Sequence, residues 1–319
     1  MSANENHKPD QSAHGAGSSR GFRLDDREWP AGSLAAGLYL VATPIGNLAD
    51  VTLRALETLA AADLIACEDT RVTKKLLDCY GIATALTPYH DHNAAAARPK
   101  IVARLRDGAA IALVSDAGTP LISDPGYRLV RAAHEAGVAV TAVPGASAVL
   151  TALAVAGLPT DRFYFEGFLP PKSAARRARL SELARIDATL VVFESGNRLP
   201  ETLTDLAGIM GAREAAICRE LTKLHEEIRR ATLSQLAQET DQIETRGEFV
   251  LVIGPPPSNA DVLTAEALDD LLREALLYHS LKDAVTHAVE LSGHPRRDVY
   301  ARALQIARRV SPKGHHDEE

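Results

Sequence analysis

Three stretches place small and hydroxyl-bearing residues directly after apolar runs that are typical of buried strands. They are Thr43-Pro44-Ile45-Gly46, Ser115-Asp116-Ala117-Gly118-Thr119-Pro120 and Pro144-Gly145-Ala146-Ser147. Pro ends a strand, and Gly lets the backbone come close to a ligand. Because open α/β sheets bind ligands at the carboxyl ends of their strands, the three loops predict one nucleoside-like ligand. Neither a G-x-G-x-x-G fingerprint nor a Walker lysine accompanies them, so a dinucleotide site and a P-loop are not indicated.

Charged residues in two other stretches could move a proton. Glu68-Asp69-Thr70-Arg71 follows a further strand, and Asp69 is expected to cap the helix that begins there. The run from Arg219 to Glu227 mixes acids with Lys223 after another strand. The candidate proton acceptors are Lys223, Glu220, Asp69 and Asp116, and the residues alone do not choose among them.

His90, Asp91 and His92 would suggest a metal site only if all three side chains faced one point. Alternate residues of an extended segment share a face, so the two histidines would lack Asp91 as a third ligand. We therefore expect no metal.

Composition indicates a globular α/β protein. The chain has 319 residues, of which 46% are apolar, and a formal net charge of −7, which argues against indiscriminate coating of nucleic acid. No apolar run reaches the roughly 18 residues of a membrane helix, and the polar N-terminal residues do not resemble a secretory signal. Three cysteines without metal-type spacing suit a reducing compartment. These features predict a cytoplasmic protein without membrane contact.

Apolar periodicity and breaker residues predict four segments. Residues 1–36 carry few apolar groups and are expected to be a disordered extension. Alternating strands and helices over 37–157 predict an N-terminal α/β domain with a mostly parallel sheet, and 158–255 predict a second α/β domain. Residues 256–319 read as a linker, a small helical module and a disordered tail.

A basic helix is predicted over residues 173–185. It carries Arg176, Arg177 and Arg179, which could contact RNA phosphates, although a solvated charged face is the commoner explanation of such a run. Arg71 and Arg219, in the two charged stretches, complete the candidate RNA contacts.

Six motifs in this order resemble the tetrapyrrole methylase family, in particular its members that modify small-subunit ribosomal RNA. The motifs are Thr43-Pro44-Ile45-Gly46-Asn47-Leu48, Glu68-Asp69-Thr70-Arg71, Ser115-Asp116-Ala117-Gly118-Thr119-Pro120, Ser123-Asp124-Pro125-Gly126, Phe165-Glu166-Gly167-Phe168-Leu169-Pro170 and Arg219-Glu220-Leu221-Thr222-Lys223-Leu224-His225-Glu226. The resemblance covers about Leu38 to Gly254 and is weaker in the C-terminal helices.

The resemblance implies a fold, a reaction and a cofactor. It implies two α/β domains with S-adenosyl-L-methionine in the cleft between them, a homodimer, and 2′-O-methylation of a cytidine in the decoding centre of 16S rRNA in the small ribosomal subunit. The cofactor contacts that it implies are Ile45, Asp116, Gly118, Thr119, Ser147, Ala148, Phe193 and Phe249.

Two departures from the family pattern leave some roles open. Gly145 is followed by Ala-Ser where the family has Pro-Ser, and Glu194 by Ser195-Gly196-Asn197-Arg198 where it has Ser-Pro-His-Arg. Two other functions also stay open: methylation of a tetrapyrrole, and a non-catalytic RNA-binding assembly factor that keeps the fold.

Overall fold

A computed structural model of the protein describes residues 20–124, 126–257 and 263–310. Contacts divide the chain into two compact units, the first formed by residues 1–43 and 51–145, the second by 44–50 and 146–319. The sequence placed the boundary after residue 157, whereas the contacts place it after 145. The helix that lies between these two positions explains the difference, as described below.

An antiparallel hairpin opens the described chain. It consists of β1 (Gly21–Leu24) and β2 (Arg27–Pro30). Phe22 is only 3% exposed and joins the core of the first unit, and its ring stacks on that of Trp29 at 6.2 Å. The expectation of disorder up to residue 36 is therefore wrong for the hairpin, because Phe22 buries enough apolar surface to order it. Residues 1–19 lie outside the described part.

Five parallel strands form the sheet of the first unit in the described residues, in the order β5-β4-β6-β3-β7. The strands are β3 (Gly37–Val41), β4 (Leu64–Cys67), β5 (Leu86–Pro88), β6 (Ala110–Val114) and β7 (Val140–Val143). The helices between them are α1 (Leu53–Ala61), α2 (Thr70–Cys79), α3 (Ala94–Arg106) and α4 (Tyr127–Glu135). The predicted alternation and parallel pairing are confirmed.

Both faces of this sheet are covered, as a parallel sheet requires. The core on one face contains Leu56 and Leu77, from α1 and α2. The core on the other contains Ile101 and Leu129, from α3 and α4. All four side chains are at most 3% exposed, so the sheet holds its strand ends, and the loops that follow them, in fixed positions.

The second unit has a mixed sheet in the order β11-β10-β12-β9-β8, in which β8 and β9 pair in parallel and the other neighbours are antiparallel. Its strands are β8 (Phe163–Phe168), β9 (Thr189–Ser195), β10 (Glu214–Arg219), β11 (Glu227–Thr232) and β12 (Glu248–Ile253). The helices of this α/β part are α5 (Ala148–Ala156), α6 (Ser173–Leu183), α7 (Leu199–Met210) and α8 (Leu233–Gln238).

Helix α5 determines where the first unit ends. Its Val149 and Leu153 pack in one core with Val191 of β9 and Val252 of β12, and Ile45 packs against the same core. The helix therefore belongs to the second sheet, although in sequence it reads as the last crossover helix of the first. An apolar helix does not reveal from its own residues which sheet it covers.

Three further helices form a small module with a core of its own. They are α9 (Ala265–Tyr278), α10 (Leu281–Ser292) and α11 (Arg296–Val310). Leu272, Val285 and Val299, one from each helix, are fully buried in this core. The predicted helical module is thus present, and the predicted tail beyond residue 310 lies outside the described residues. None of the described helices is long and apolar enough to cross a membrane.

Candidate active site

Two loops at the carboxyl edge of the first sheet are tied together by their polar side chains. The Asp69 N–H, after β4, donates to Asp116 Oδ1, after β6, at 3.0 Å. The Asp69 carboxylate in turn accepts from the Arg71 N–H at 2.8 Å and caps α2, as the sequence predicted. Because β4 and β6 are parallel neighbours, the loops that follow them meet at the carboxyl edge of the sheet.

These loops line a cavity of about 470 Å³ within the first unit, and most of its lining residues have polar side chains. The lining residues are Glu68, Asp69, Thr70, Arg71, Pro88, His90, His92 and Asp116. The rings of His90 and His92 lie 6.0 Å apart, centre to centre. Over the described part of the chain, no group of three His, Cys, Asp or Glu residues is placed to hold a metal ion. The cavity volume suits a small organic ligand.

Carboxylates give this cavity an excess of negative charge. Burial, together with the nearby Asp116 and Asp124, raises the pKa of Glu68 above its usual value. Hydrogen bonds from Arg71 instead lower the pKa of Asp69 to about 2. The raised pKa means that burial and the neighbouring carboxylates disfavour the negative charge of Glu68. A cationic ligand in the cavity would favour that charge.

Gly118 fixes the shape of the loop after β6. Its N–H and C=O exchange hydrogen bonds with Thr43 at 3.0 and 2.9 Å, and it adopts a left-handed φ of +77°. Only glycine takes this conformation without strain. Thr119 follows at once and is half-buried, whereas Asp116 is exposed. The structure therefore brings the predicted residues Asp116, Gly118 and Thr119 into one loop beside Asp69.

Four predicted cofactor residues of the second unit lie at the start of α5 or against the core that this helix covers. The Ser147 side chain caps this helix by accepting from the Leu150 N–H at 3.5 Å. Ile45, Ala148 and Phe193 are half-buried at the edge of the core beneath the helix. Ile45, Ala148 and Phe193 thus border one core of the second unit, and Ser147 caps the helix above it.

Phe249 lies on the other face of the same sheet. Successive side chains of a strand point to opposite faces, and Val250 and Val252 face α5. The Phe249 ring is 2% exposed and belongs to the core on the opposite face, with Leu251. The ring is thus enclosed in that core, and the predicted contact of Phe249 with the cofactor stays a prediction.

Lys223 and two glutamates form a charged cluster in the second unit. Lys223 Nζ donates to Glu220 Oε1 at 2.9 Å and to Glu248 Oε2 at 2.7 Å. These carboxylates raise the pKa of Lys223 in spite of its partial burial, and the ammonium lowers the pKa of Glu220, although burial acts against both shifts. At neutral pH Lys223 is a cation with no lone pair, which does not suit the role of a proton acceptor.

The loop from 220 to 226 holds Lys223 in a strained backbone. Glu220 and Thr222 have φ values of +48° and +66°, which cost non-glycine residues about 1–3 kcal/mol each. The Thr222 N–H donates to Glu226 Oε2 at 2.6 Å, which helps to close the loop. Leu224, at the tip, is 93% exposed. Such strain is retained where a loop must present particular side chains.

The departure at Gly196 has a local structural reason. A Cβ at this position would lie 1.4 Å from the Thr245 carbonyl oxygen, so the backbone here approaches too closely for any other residue. Arg198, which matches the family, donates to the Leu169 carbonyl at 2.7 Å and pairs with the buried Glu194 at 3.3 Å. Asn197, in place of the family His, is exposed.

Two of the predicted RNA-binding arginines are engaged inside the second unit. Arg176 is 2% exposed and bonds to Asp205 at 2.7 Å, with Glu201 at 3.3 Å. Arg179 makes a two-pronged contact with Glu166, at 2.7 Å for each bond, and also binds Glu182. The expectation that α6 presents Arg176 to RNA is therefore wrong, because this side chain is buried. Arg179 is partly exposed, and carboxylates of the protein already neutralise its charge.

The other three candidates differ in exposure. Arg219 is 12% exposed and donates to the Arg246 carbonyl at 2.7 Å and to the His225 carbonyl at 3.5 Å, so its guanidinium is engaged within the second unit. Arg71 is 86% exposed in the cavity of the first unit. Arg177 is exposed, and among the described residues no hydrogen bond or ion pair of its guanidinium is found. Arg71 and Arg177 are thus the two that remain open to solvent.

Sequence reasoning assigned no site role to four contributors to these clusters. Glu68 and the two histidines line the cavity of the first unit, and Glu248 binds Lys223. Glu68 could have been found from its position directly after β4, beside Asp69. Glu248 carried no signal, because only the pairing of β10 with β12 brings it to the loop after β10.

Comparisons with known proteins agree on one family. Residues 37–237 match the family described as Tetrapyrrole (Corrin/Porphyrin) Methylases, and residues 261–307 match the RsmI C-terminal HTH domain. The chain is 50% identical over 281 residues, 88% of its length and 95% of the relative's, to ribosomal RNA small subunit methyltransferase I of Mesorhizobium japonicum. It is 51% identical, over 86% of its length and 96% of the relative's, to the protein of that name in Erythrobacter litoralis. A crystal structure of diphthine synthase superposes with a TM-score of 0.54 at 16% identity, covering 74% of this chain and 94% of that one.

Proposed function

Because the chain belongs to the tetrapyrrole methylase family, and within it to the ribosomal RNA small subunit methyltransferase I group, we propose that it methylates 16S rRNA. The methyl donor is S-adenosyl-L-methionine, and the acceptor is the ribose 2′-hydroxyl of a cytidine in the decoding centre. The observation that carries this proposal is identity near one half with enzymes of that name over nearly their whole length.

The tetrapyrrole alternative rests on the fold alone. A family named for corrin and porphyrin substrates matches the two α/β sheets, yet such likeness does not determine a substrate. The C-terminal module matches a domain that belongs to the rRNA methyltransferase group, and the relatives are matched along most of their length. Both observations favour RNA over a tetrapyrrole as the substrate.

The residues of the first unit fit a cationic, nucleoside-containing methyl donor. Glu68, Asp69 and Asp116 line a cavity of about 470 Å³, in which burial and the neighbouring carboxylates raise the pKa of Glu68. The left-handed Gly118 keeps a side chain away from the loop beside them. Asp116, Gly118 and Thr119 would hold the donor in this unit, with Ile45, Ser147, Ala148 and Phe193 as the candidates of the other. When bound, S-adenosyl-L-methionine supplies a methyl group made electrophilic by a sulfonium.

The residues of this chain then have two tasks, orientation and proton removal. Most of the acceleration of a methyl transfer can come from holding the acceptor hydroxyl in line, which converts a bimolecular encounter into an intramolecular step. Of the candidate bases, Asp69, Asp116 and Glu220 are carboxylates able to take a proton. Lys223 is held as an ammonium by Glu220 and Glu248. We assign Lys223 to positioning and proton acceptance to a carboxylate.

We further propose that the enzyme is a cytoplasmic homodimer that acts on the small ribosomal subunit. The dimer follows from the family resemblance, and the location follows from the substrate. Sedimentation at micromolar concentration should give about twice the chain mass of 34.1 kDa. A monomer at that concentration would remove the dimer from the proposal and leave the reaction untouched.

The decisive experiment supplies radiolabelled S-adenosyl-L-methionine with purified small subunits that lack the modification, and in parallel with a porphyrinogen. Label should enter 16S rRNA. The RNA backbone should resist alkaline cleavage after one cytidine, since a 2′-O-methyl group prevents that oxygen from attacking the neighbouring phosphate. Label in the porphyrinogen would favour the tetrapyrrole alternative. Absence of S-adenosyl-L-methionine binding in calorimetry would favour the non-catalytic assembly factor.

A further inference from the structure

The first unit carries a basic, aromatic surface next to its acidic cavity. We define this basic aromatic patch by Arg98 of α3 and by Tyr127, Arg128 and Arg131 of α4. Tyr127 is 62% exposed, and the Arg128 guanidinium lies over its ring at 5.8 Å from the ring centre. None of these residues belongs to the motifs on which the family resemblance depends.

The charges of the patch act on each other. The guanidinium of Arg128, then those of Arg131 and Arg98, lower the pKa of the Tyr127 hydroxyl. Tyr89 lies buried below, with Arg98 and Arg128 near its hydroxyl. Arg131 has Glu135 at 2.9 Å, in an exposed pair of little strength, and Asp91 is the carboxylate near Arg128. The patch therefore keeps a net positive charge, in contrast to the neutralised arginines of α6.

The patch lies at the same edge of the sheet as the cavity. Helix α3 begins after β5, and α4 begins after the loop that follows β6, so Arg98 and Tyr127 sit near the carboxyl ends of these strands. His90 and His92, which line the cavity, are chain neighbours of Tyr89 and Asp91. The patch and the cavity therefore lie at one edge of the same sheet.

We propose that the basic aromatic patch binds a single-stranded segment of the substrate RNA beside the methylated nucleotide. Guanidinium groups bind phosphates, and an exposed aromatic ring offers a stacking surface to a base. An acidic peptide would use the charges but would leave the Tyr127 ring without a partner, and for this reason the patch fits nucleic acid better. The inference rests on the proposed function for the identity of the RNA.

The test measures binding of unmodified small subunits by wild type and variants across a salt series. Arg98→Gln with Arg128→Gln should weaken binding and reduce the slope of log affinity against log salt by about 1.4–1.8, at about 0.7–0.9 per phosphate contact. Tyr127→Ala should lower affinity about ten-fold or more, while Tyr127→Phe should retain it, because stacking needs the ring and not the hydroxyl.

The matched control is Arg104→Gln with Arg106→Gln. It removes the same charge from the opposite end of α3 and should leave the salt slope within a few tenths of wild type. Binding of S-adenosyl-L-methionine and the melting temperature should stay unchanged in every variant, which excludes unfolding as the cause.

Three results would overturn the patch. The first is an unchanged salt slope in the Arg98 and Arg128 double variant. The second is an equal loss of RNA affinity in the control pair. The third is conversion of a dimer into a monomer by Tyr127→Ala, which would assign the ring to the contact with a second copy of the chain. If wild type binds the subunit but transfers no methyl group, the proposed function fails while the binding comparison still decides the patch.

Discussion

Lys223 lies across Gly46 so closely that a Cβ at position 46 would come within 2.4 Å of Lys223 Cγ. The absence of a side chain at Gly46 therefore gives Lys223 its path to Glu220 and Glu248. This contact joins two motifs that are far apart in the chain, the Thr-Pro-Ile-Gly loop and the charged loop after β10. It offers a way to test Lys223 without changing it.

Gly46→Ala should displace the Lys223 side chain and break its bonds to the two glutamates. We expect methyl transfer to fall at least ten-fold, with little loss in the melting temperature, because Gly46 is exposed. Lys223→Met should have the same effect on rate. Gly208→Ala is the control, since nothing lies within 4 Å of the Cβ that it adds. Full activity in Gly46→Ala would refute the positioning role of Lys223.

Gly118→Ala should weaken S-adenosyl-L-methionine binding through the loop after β6. Its φ of +77° would cost an alanine about 1–2 kcal/mol, and relaxation of that strain would move Asp116 and Thr119. Gly137→Ala is a close match, with a φ of +71° and no atom within 4 Å of the added Cβ. Both variants should lose similar stability, and only Gly118→Ala should lose cofactor affinity in calorimetry. Equal affinity in the two would contradict the assignment of this loop.

Arg176→Ala should destabilise the second unit and leave the RNA salt slope unchanged. Removing the guanidinium leaves the Asp205 carboxylate, 9% exposed, without its partner, and breaking a buried pair typically costs about 3–5 kcal/mol. Arg177→Ala, one residue further along α6, should change stability by no more than about 0.5 kcal/mol. Urea denaturation measures the difference. A stable Arg176→Ala variant with weakened RNA binding would instead support the prediction from the sequence that Arg176 contacts RNA.

Glu68→Gln should stabilise the protein at neutral pH. A carboxyl whose pKa is raised on folding weakens the fold as pH increases through that pKa, because the folded state opposes the ionised form. The amide removes this penalty, so its advantage in melting temperature should be clear at pH 7 and vanish below about pH 4.3, where the unfolded carboxyl is protonated. The same change should weaken binding of a cationic cofactor. An advantage that persisted at pH 3.5 would show that charge is not its cause.

Local signals in the sequence determined most of the framework. Apolar runs, and the Gly and Pro residues that end them, predicted the parallel sheet, the second α/β unit and the C-terminal helices, because such patterns act over a few residues. The Asp69 cap was predicted for the same reason, since an N-cap bonds within its own helix turn. Most of the family motifs likewise begin where a strand ends, whereas Phe165 to Phe168 lie within β8.

Tertiary structure alone decided what several of those residues do. Arg176 shares a helix face with the buried Leu180 and Leu183, yet its partner Asp205 is 29 positions away. Strand pairing turned Phe249 into the core opposite α5, and it brought Glu248 to Lys223. Ion pairing, burial and ionisation depend on groups that are distant in the chain and become neighbours only on folding. For this reason the sequence could name the charged residues, while the fold determined which of them stayed free to meet a ligand.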